Sequence, residues 1–470
     1  MRICVILEGC YPYVTGGVSS WMHQYIKAMP EHEFVVLAIG AEPSVKGKFK
    51  YELPKNVTEI REIFLTGGET DRSARPFIKF TEEEQGALYE LIRCGSPDWE
   101  TIFEMMQHKG VTPHEILTSR QFQRLLTDVS KQFFRYTAFS DLFHTIRSML
   151  MPLLELLRTD IPKADIYHSI ATGYAGMLAR LGGYVYSVPY MITEHGIYTR
   201  EREEEILRAK WVVPDCRDLW IRFFYMLSEA AYNRAEMVTS LFERAMKTQI
   251  EMGCQAKKCR VVANGIHYDM FAAIPQRKAE GKVNIAAILR IAPIKDVKTM
   301  LYAFAEMKKR YPDAALYIAG PEDDPDYAGE CYDLVTRLQV PDVFFMGTIR
   351  VTEHMHQFDF TVLSSISEGQ PLSVLESFAA GRPCVTTDVG CCKQLLYGSG
   401  EDNEGAAGIC VPPMQPHALS VAMEEMCRNR EQRIIMGNVG KRRAGRFFQH
   451  RDMIRRYQEA YDEVFRRWRE

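Results

Sequence analysis

Short apolar runs alternate with amphipathic segments in two separate stretches of the chain. The first stretch opens with the apolar run Ile3–Leu7, the amphipathic segment Val18–Met29 and a second apolar run, Glu33–Ile39. Runs of this length indicate strands covered on both faces, and apolar positions three to four residues apart indicate helices. The chain therefore opens as a strand–helix–strand unit, the usual start of a parallel α/β sheet.

The same alternation returns in the second half of the chain. Its predicted strands are nearly all apolar, which again indicates a sheet that is covered on both faces. The predicted strands are Val283–Ile288, Ala314–Ala319, Val343–Met346, Phe360–Leu363 and Pro383–Thr387, and the predicted helices are Val297–Tyr311, Gly329–Leu338 and Ser373–Ala380.

Helical spacing dominates much of the region between the two stretches, which predicts a helical insertion at about 66–160. We expect an α/β protein with two Rossmann-like domains, residues 1–275 and 276–450. The terminal helix, 451–470, has an apolar stripe that we expect to pack back toward the N-terminal domain. Open parallel sheets bind ligands at the carboxyl ends of their strands, so we expect the two domains to face each other across a cleft.

The composition of the chain limits its possible binding partners and its cellular compartment. The net charge of −3 provides no global attraction to nucleic acid, so we expect no nucleic-acid partner. Twelve cysteines without a C-x-x-C pair indicate reduced thiols in the cytosol. The opening apolar run is too short for a signal peptide, and no apolar run reaches the roughly 18 residues that a membrane span needs. We therefore expect a cytoplasmic protein, and no metal site, since His354 and His356 lack partners at ligand spacing.

Two glutamates eight positions apart flank the start of a predicted helix. Glu368 lies with Gly369 on the loop after a predicted strand, and Glu376 lies one turn inside the helix. Between them, the first backbone N–H groups of the helix, at Leu372 and Ser373, are free to receive a phosphate. This arrangement suits a sugar nucleotide, with Glu368 accepting from sugar hydroxyls and Glu376 from a ribose diol. For the pair alone, a solvated loop glutamate and a surface ion pair remain the alternative.

Two cations and a glycine follow other predicted strands of the second half. Arg290 and Lys295 lie on a loop that leads into a helix, where they would neutralise a pyrophosphate. Gly347 ends another strand, and the backbone from Gly347 to Ile349 could hold a flat base. The alternative for the cations is an ordinary surface pair.

In the first half, Gly16 and Gly17 occupy the loop after the first strand, where glycine lets the backbone approach a ligand at a helix start. The pair lacks the third glycine of a dinucleotide-binding loop and the lysine of a P-loop. His195 follows the strand Pro189–Thr193, so its imidazole could reach a sugar hydroxyl at the mouth of the cleft. A plain glycine turn and a structural histidine are the alternatives.

Taken together in chain order, these residues resemble the retaining glycosyltransferases of family 4, which have the GT-B fold. The resemblance spans nearly the whole chain, and its N-terminal half is similar to the PelF branch, soluble transferases for the Pel exopolysaccharide of biofilms. The residues that carry it are Gly16, Gly17, Glu194-His195-Gly196-Ile197-Tyr198, Asn264, Gly265, Arg290, Lys295, Gly347, Glu368, Glu376 and Ala379-Ala380-Gly381-Arg382-Pro383.

The resemblance implies a role for each matched position. Arg290 and Lys295 would bind the donor diphosphate, Glu376 the ribose and Glu368 the hexose hydroxyls, and His195 would contact the sugar near its reactive carbon. Backbone at Gly17, Leu372 and Ser373 would complete the contacts, with Gly265 and Gly369 nearby. The catalytic residues would then be His195, Arg290, Lys295 and Glu368. Gln370 stands where the family usually has an aromatic or small apolar residue.

The implied reaction moves glucose or an N-acetylhexosamine from a UDP-sugar to a growing polysaccharide. The UDP-sugar is a co-substrate, and no cofactor is implied. Arg290, Lys295 and the helix N-terminus would stabilise the charge on the leaving nucleotide, so no divalent metal is required.

Two other functions stay open from the sequence. One is a nucleotide-sugar epimerase of the same fold. The other is a non-catalytic subunit that binds sugar nucleotides and docks to an inner-membrane synthase complex, with peripheral membrane association. Its support is the basic end of the chain, residues 441–470, which could contact an anionic membrane or an acidic partner.

Overall fold

The computed structural model describes residues 1–65, 78–278 and 281–470. The first part of the expected helical insertion, 66–77, lies outside the described residues. Within the described ranges, no helix has the length and apolar character needed to cross a membrane.

The chain forms two compact units, and each is described by itself. Unit 1 is Met1–Val261 together with Tyr457–Glu470, and unit 2 is Val262–Arg456. The domain boundary expected at 275/276 falls inside unit 2, because the segment from Val262 onward packs with the residues that follow it.

Unit 1 is built on a seven-stranded sheet in the order β3-β2-β1-β4-β5-β6-β7, with every neighbouring pair parallel. The order reverses between β1 and β4, which makes this point the crevice of the sheet. The strands are β1 Arg2–Glu8, β2 Glu33–Gly40, β3 Val57–Phe64, β4 Ile166–Ser169, β5 Tyr190–Glu194, β6 Met237–Ser240 and β7 Cys259–Val261.

Ten helices of unit 1 connect and cover these strands in the described part of the chain. They are α1 Gly17–Lys27, α2 Glu82–Ile92, α3 Trp99–Gln107, α4 Pro113–Thr118, α5 Arg120–Phe133, α6 Phe139–Leu157, α7 Gly173–Tyr186, α8 Tyr198–Arg208, α9 Arg217–Arg234 and α10 Glu243–Glu251.

The inserted helices α2–α6 share one apolar core with the sheet. Leu88, Phe103 and Leu154 from the insertion belong to the same buried cluster as Ile6 and Leu37 from the strands. The predicted insertion is therefore helical, and it shares the core of the sheet instead of forming a separate subdomain.

Unit 2 is built on a six-stranded parallel sheet in the order β10-β9-β8-β11-β12-β13, the strand order of dinucleotide-binding folds. This confirms the α/β class with two Rossmann-like sheets. The strands are β8 Val283–Ile288, β9 Ala314–Ala319, β10 Val343–Gly347, β11 Phe360–Leu363, β12 Cys384–Thr387 and β13 Gly408–Val411.

The helices of unit 2 cover its sheet. They are α11 Tyr268–Ala272, α12 Val297–Arg310, α13 Pro325–Leu338, α14 Val351–His354, α15 Leu372–Ala379, α16 Cys392–Tyr397, α17 Pro416–Arg428 and α18 Arg430–Phe447.

Arg382 has a structural role in unit 2. Its guanidinium is fully buried and donates to the carbonyls of Phe358 at 3.3 Å and Pro275 at 2.6 Å, and also to that of Ala380. A buried guanidinium needs several acceptors, and carbonyls at three separate positions supply them. The arginine of the Ala379–Pro383 motif therefore fastens the end of α15 to the start of the unit.

The last helix, α19 His450–Arg469, passes from unit 2 into unit 1. Its apolar stripe was predicted from the sequence, and Tyr457, Tyr461 and Val464 are buried in unit 1. Trp21 packs edge-on against Tyr457, with ring centroids 5.7 Å apart.

A chain of buried hydrogen bonds joins this helix to the sheet of unit 1. Tyr25 donates to the Tyr461 hydroxyl at 2.7 Å, which donates to His168 Nδ1 at 2.7 Å. His168 Nε2 donates to Thr193 Oγ1 at 2.8 Å, and Thr193 donates to Thr239 at 2.6 Å. Burial lowers the pKa of His168 to about 3, so the ring is neutral at pH 7. A neutral ring accepts a hydrogen bond at one nitrogen and donates one at the other, so it can link the two halves of this chain.

Removing the Tyr461 hydroxyl should destabilise unit 1. In Tyr461→Phe, the Tyr25 hydroxyl loses its acceptor and His168 Nδ1 loses its donor inside the core, which we expect to lower the free energy of unfolding by about 1–3 kcal/mol. All five tryptophans lie in unit 1, so urea denaturation followed by tryptophan fluorescence reports on this unit. The control is Tyr136→Phe, whose ring is 98% exposed; equal midpoints for both variants would contradict the assignment.

Candidate functional site

The crevice of unit 2 lies between β8 and β11, where the strand order reverses. These strands are parallel neighbours, with Phe360 opposite Ile285, so the loops that follow them meet at one edge of the sheet. The loop after β8 carries Arg290 and Lys295, and the loop after β11 carries Glu368. Four of the predicted binding residues, Arg290, Lys295, Glu368 and Gly369, therefore lie on two adjacent loops, and Leu372 and Ser373 begin the helix that follows the second loop.

Lys295 and Glu368 form a nearly buried ion pair across these loops. Lys295 Nζ lies 2.5 Å from Glu368 Oε1, and their side chains are 16% and 10% exposed. Ser365 donates to the same carboxylate oxygen at 2.6 Å. The two residues were predicted to contact different parts of one ligand, but their direct pairing was not predicted, because spacing along the chain does not show which loops meet.

Backbone bonds hold the two loops together beneath this pair. The N–H of Ile366 donates to the carbonyl of Ile294 at 2.9 Å. Ser364 Oγ donates to the carbonyls of Lys295 and Asp296 at 2.9 and 3.0 Å. The backbone at Lys295 is therefore held by the loop after β11 as well as by its own loop.

Arg290 is on the same loop as Lys295 but has a different partner. Its guanidinium is half exposed and forms an ion pair with Asp323, on the loop after β9. Asp323 belongs to the mostly exposed acidic stretch 322–326, in which Asp324 accepts from the N–H of Tyr327 at the start of α13. A ligand phosphate would have to compete with Asp323 for Arg290.

The start of α15 is open to a ligand. Pro371 precedes the helix and provides no side-chain cap, and no described residue accepts from the N–H groups of Leu372 and Ser373. Unpaired N–H groups at a helix start carry partial positive charge, which suits an anion. These two N–H groups, at Leu372 and Ser373, form the predicted phosphate cradle, and they follow Glu368 by four and five residues in the chain.

Glu376 lies one turn further along α15 and differs from Glu368 in its surroundings. It is half-buried, and its side chain forms no hydrogen bond or ion pair with a described residue. Burial alone raises its pKa to about 7. A carboxyl group without a partner at such a position is a candidate ligand contact, because structural carboxylates are normally paired.

Gln370 has a structural partner. Its Oε1 accepts from the N–H of Asn264 at 2.6 Å, so the turn between the two glutamates is fastened to the segment that begins unit 2. Gly265 lies against the start of α19, where a Cβ atom would come within 2.5 Å of the Gln449 carbonyl. Contacts within unit 2 therefore account for both Gln370 and Gly265.

Two glycines that the sequence reasoning missed shape the same loops. A Cβ atom on Gly390 would lie 2.2 Å from the carbonyl oxygen of Glu368, and one on Gly320 would lie 1.8 Å from that of Leu289. Both have positive φ angles, 55° and 150°. The loops after β9 and β12 therefore contact the loops of Arg290 and Glu368 at distances that only glycine permits. No local sequence motif predicts these contacts.

Gly347 ends β10, two strands away from β8, and Ile349 lies just after it. Gly347 is exposed with a φ of 64°, and its carbonyl accepts from the N–H of Gly320 at 2.8 Å. Through Gly320 this segment adjoins the loop of Arg290. The structure thus puts both residues on the carboxyl edge of the sheet, and not in contact with the Lys295–Glu368 pair.

In unit 1, Gly16 and Gly17 form the start of α1, after β1. A Cβ atom at either position would meet nothing within 4 Å, so packing within the protein does not require glycine here. Open space in front of a helix start leaves room for a ligand to approach the backbone.

His195 follows β5 at the carboxyl edge of the unit 1 sheet. Its ring packs edge-on against Trp21, with centroids 4.4 Å apart, and its Nε2 is buried with no partner among the described residues. Burial lowers its pKa to about 4. The imidazole is therefore neutral at pH 7, which suits a hydrogen bond to a hydroxyl better than the binding of an anion.

Two buried glutamates at the same edge were not assigned from the sequence. Glu194 accepts from Tyr232 at 2.5 Å and from Gln249 at 2.8 Å, which makes it structural. Glu8, at the end of β1, accepts from Tyr198 at 3.0 Å through one oxygen, while its other oxygen is buried without a partner. Burial raises the pKa of both carboxyls.

Residues 1–65, 78–278 and 281–470 contain no group of three or more His, Cys, Asp or Glu side chains arranged to hold a metal ion.

Two family models match the chain in sequence. Residues 1–257 match the model described as "Domain of unknown function (DUF3492)", and residues 282–429 match the model described as "Glycosyl transferases group 1". The second match covers β8 to α17, and therefore both loops of the unit 2 site.

Characterised relatives are similar at low identity. The MMP alpha-(1->4)-mannosyltransferase of Mycolicibacterium hassiacum is 23% identical over 362 residues, 76% of this chain and 82% of that protein. The alpha-monoglucosyldiacylglycerol synthase of Streptococcus pneumoniae is 26% identical over 306 residues, 59% of this chain and 65% of that protein.

Solved structures with the same fold include HepE of Anabaena in complex with UDP, with a TM-score of 0.62 at 13% identity. They also include sucrose-phosphate synthase from Thermosynechococcus elongatus, with a TM-score of 0.61 at 14% identity. The alignments cover 98% of this chain and 100% of HepE, and 99% of this chain and 99% of the synthase. At such identity the likeness shows the fold, which is GT-B.

With one family model covering more than half of its length, and a glycosyltransferase model covering its second sheet, the chain belongs to the DUF3492 family and is a glycosyltransferase of the GT-B fold.

Proposed function

We propose that the chain transfers a hexose or an N-acetylhexosamine from a UDP-sugar to a growing exopolysaccharide such as Pel, with retention of configuration and without a metal ion. The observation that carries this proposal is the Lys295–Glu368 pair beside the open start of α15. This part of unit 2 therefore has a cation and unpaired N–H groups, which suit a diphosphate, and a carboxylate, which suits the hydroxyls of a sugar.

The electrostatics of these loops support departure of a nucleoside diphosphate. Negative charge grows on the diphosphate as the bond to the sugar breaks, and Lys295, Arg290 and the α15 N-terminus all stabilise negative charge. Such groups cost no reorganisation when they are held in place beforehand. Lys295 is held on this loop by Glu368 before a donor binds, so only its side chain has to turn from the carboxylate to the diphosphate.

The carboxylates and the histidine suit the neutral parts of the donor. Glu368, once Lys295 turns to phosphate, can accept from hexose hydroxyls, and Glu376 has both oxygens available for a ribose diol. His195 offers a neutral Nε2 without a partner, which suits a sugar hydroxyl. None of these groups is assigned as a nucleophile.

The relatives support sugar transfer from a nucleotide donor. The solved HepE structures contain UDP, or UDP with glucose, or UDP-glucose. One of the sequence relatives is described as a putative glycosyltransferase, EpsF of Bacillus subtilis, 30% identical over 145 residues, 28% of this chain and 37% of that protein. UDP as the nucleotide of the donor and glucose as one candidate sugar follow from this comparison by analogy.

The proposal is tested by removing one N–H group of the cradle. Pro371 before the helix has an extended backbone, so Leu372→Pro removes the Leu372 N–H without requiring a new conformation. One hydrogen bond to a charged group is worth about 1.5–3 kcal/mol, so we expect UDP to bind at least about tenfold more weakly. Calorimetric titration measures this directly.

The matched control is Leu372→Ala, which removes the same side chain and keeps the N–H. In a thermal-shift comparison of the unmodified chain, UDP should raise the melting temperature, and ADP, GDP and NAD should not. No shift with any uridine nucleotide would exclude the proposed donor. Equal UDP affinity of the two Leu372 variants would exclude the cradle.

Removal of Arg290 should affect the chemical step. We expect Arg290→Ala to lower kcat/KM for UDP release from a UDP-sugar by at least about tenfold, because one cation facing the leaving group is lost. The side chain is half exposed, so the melting temperature should change little. Arg350→Ala, at an exposed arginine after β10, is the control and should leave kcat/KM unchanged. Unaltered kinetics in Arg290→Ala would refute the role.

Glu376 should make UDP binding depend on pH. Because the pKa of Glu376 lies at about 7, its ionised fraction rises from about one tenth at pH 6 to about nine tenths at pH 8. A ribose diol donates hydrogen bonds to the ionised form. We expect the UDP affinity to rise up to about tenfold over this range, and Glu376→Gln to lose that rise. Glu401→Gln, at an exposed glutamate, should keep it. A profile shared by Glu376→Gln and the unmodified chain would show that Glu376 does not contact UDP.

A further inference from the structure

Three aromatic side chains are exposed within seven residues at the turn between α5 and α6. Phe133 is 45%, Tyr136 98% and Phe139 42% exposed. Exposed apolar residues are common singly on protein surfaces, but a group of three at one turn is not. Between them Phe134 is buried and anchors the turn to the core of unit 1.

A row of cations runs along α5 toward this turn. Arg120, Arg124, Lys131 and Arg135 are all exposed. Their spacing of four, seven and four residues places them on one side of the helix. Arg135 Nε donates to the carbonyl of Lys131 at 3.2 Å, which continues the row past the end of the helix.

These cations are not neutralised by the protein. No described residue forms an ion pair with any of the four, whereas exposed arginines elsewhere in the chain, such as Arg234 and Arg428, pair with glutamates. Asp128 is the acidic residue on the exposed side of the same helix. The surface therefore has a net positive charge that is available to a partner.

The opposite side of α5 holds this surface in place. Phe122, Leu126 and Val129 are fully buried in the core of unit 1. The end of α2 adds a further tie, since the Tyr89 hydroxyl donates to Gln132 at 2.9 Å. Arg120, Arg124 and Lys131 are thus presented by a helix that is anchored in the core, and the buried Phe134 anchors the turn that follows it.

We propose that this surface, defined by Arg120, Arg124, Lys131, Phe133, Arg135, Tyr136 and Phe139, docks the protein on an anionic lipid bilayer. Phosphate headgroups attract a row of cations, and aromatic rings insert at the boundary between headgroups and acyl chains. An anionic bilayer offers both contacts at once, phosphate for the cations and the boundary between headgroups and acyl chains for the rings. The proposal is independent of the donor chemistry, because no residue of this surface belongs to the unit 2 site.

The test is flotation of the full chain with vesicles of two compositions. We expect binding to vesicles of phosphatidylcholine mixed with phosphatidylglycerol, and none to phosphatidylcholine alone. Salt raised from about 0.1 M to about 1 M shortens the screening length from about 10 Å to 3 Å and should release the protein. Absence of binding to the anionic vesicles would overturn the proposal.

Two triple variants assign the binding to this surface. Arg124→Gln/Lys131→Gln/Arg135→Gln should weaken the partition onto anionic vesicles by about a hundredfold, roughly fivefold for each cation. Phe133→Ser/Tyr136→Ser/Phe139→Ser should also weaken it, while thermal melting confirms that both variants are folded.

The matched control is Lys309→Gln/Arg337→Gln/Arg430→Gln, which removes three exposed cations of unit 2 that have no described ion-pair partner. It should bind the anionic vesicles as the unmodified chain does. If the control and the α5 variant lose binding equally, attraction comes from overall charge and the proposed surface is wrong.

Discussion

Two parallel sheets, each buried on both faces, restrict where this chain can place polar chemistry. Most of the strands are apolar because helices cover them, so polar side chains near the sheets are concentrated on the loops at the strand ends. At the point where the strand order reverses, neighbouring loops leave in opposite directions and open a crevice. The Lys295–Glu368 pair lies in that crevice in unit 2, and His195 lies at the corresponding edge in unit 1.

The site of unit 2 combines loops that are held by close backbone contacts with polar groups that are available to a ligand. Glycines 320 and 390 let neighbouring loops support those of Arg290 and Glu368 at very short range. Gln370 fastens the turn before α15 to Asn264. Above this foundation, the α15 N-terminus and Glu376 have no partners within the described residues. A site of this kind is ordered before its ligand arrives, which favours catalysis by electrostatic stabilisation.

Much of this architecture could be predicted from the sequence, because apolar runs report strands directly. The strands Val283–Ile288 and Phe360–Leu363, and the start of α15, were predicted within a residue or two. What could not be predicted depends on which loops meet. The pairing of Lys295 with Glu368, the competition of Asp323 for Arg290, and the glycine contacts all join residues that are distant in sequence, and no local pattern encodes them.

The central claim is that the loops after β8 and β11 bind a nucleoside diphosphate sugar. A crystal structure with UDP tests it most directly. We expect the diphosphate to contact the Leu372 and Ser373 N–H groups and Lys295 Nζ, with Lys295 moved away from Glu368 and the ribose at Glu376. UDP bound elsewhere, with the Lys295–Glu368 pair intact, would contradict the account.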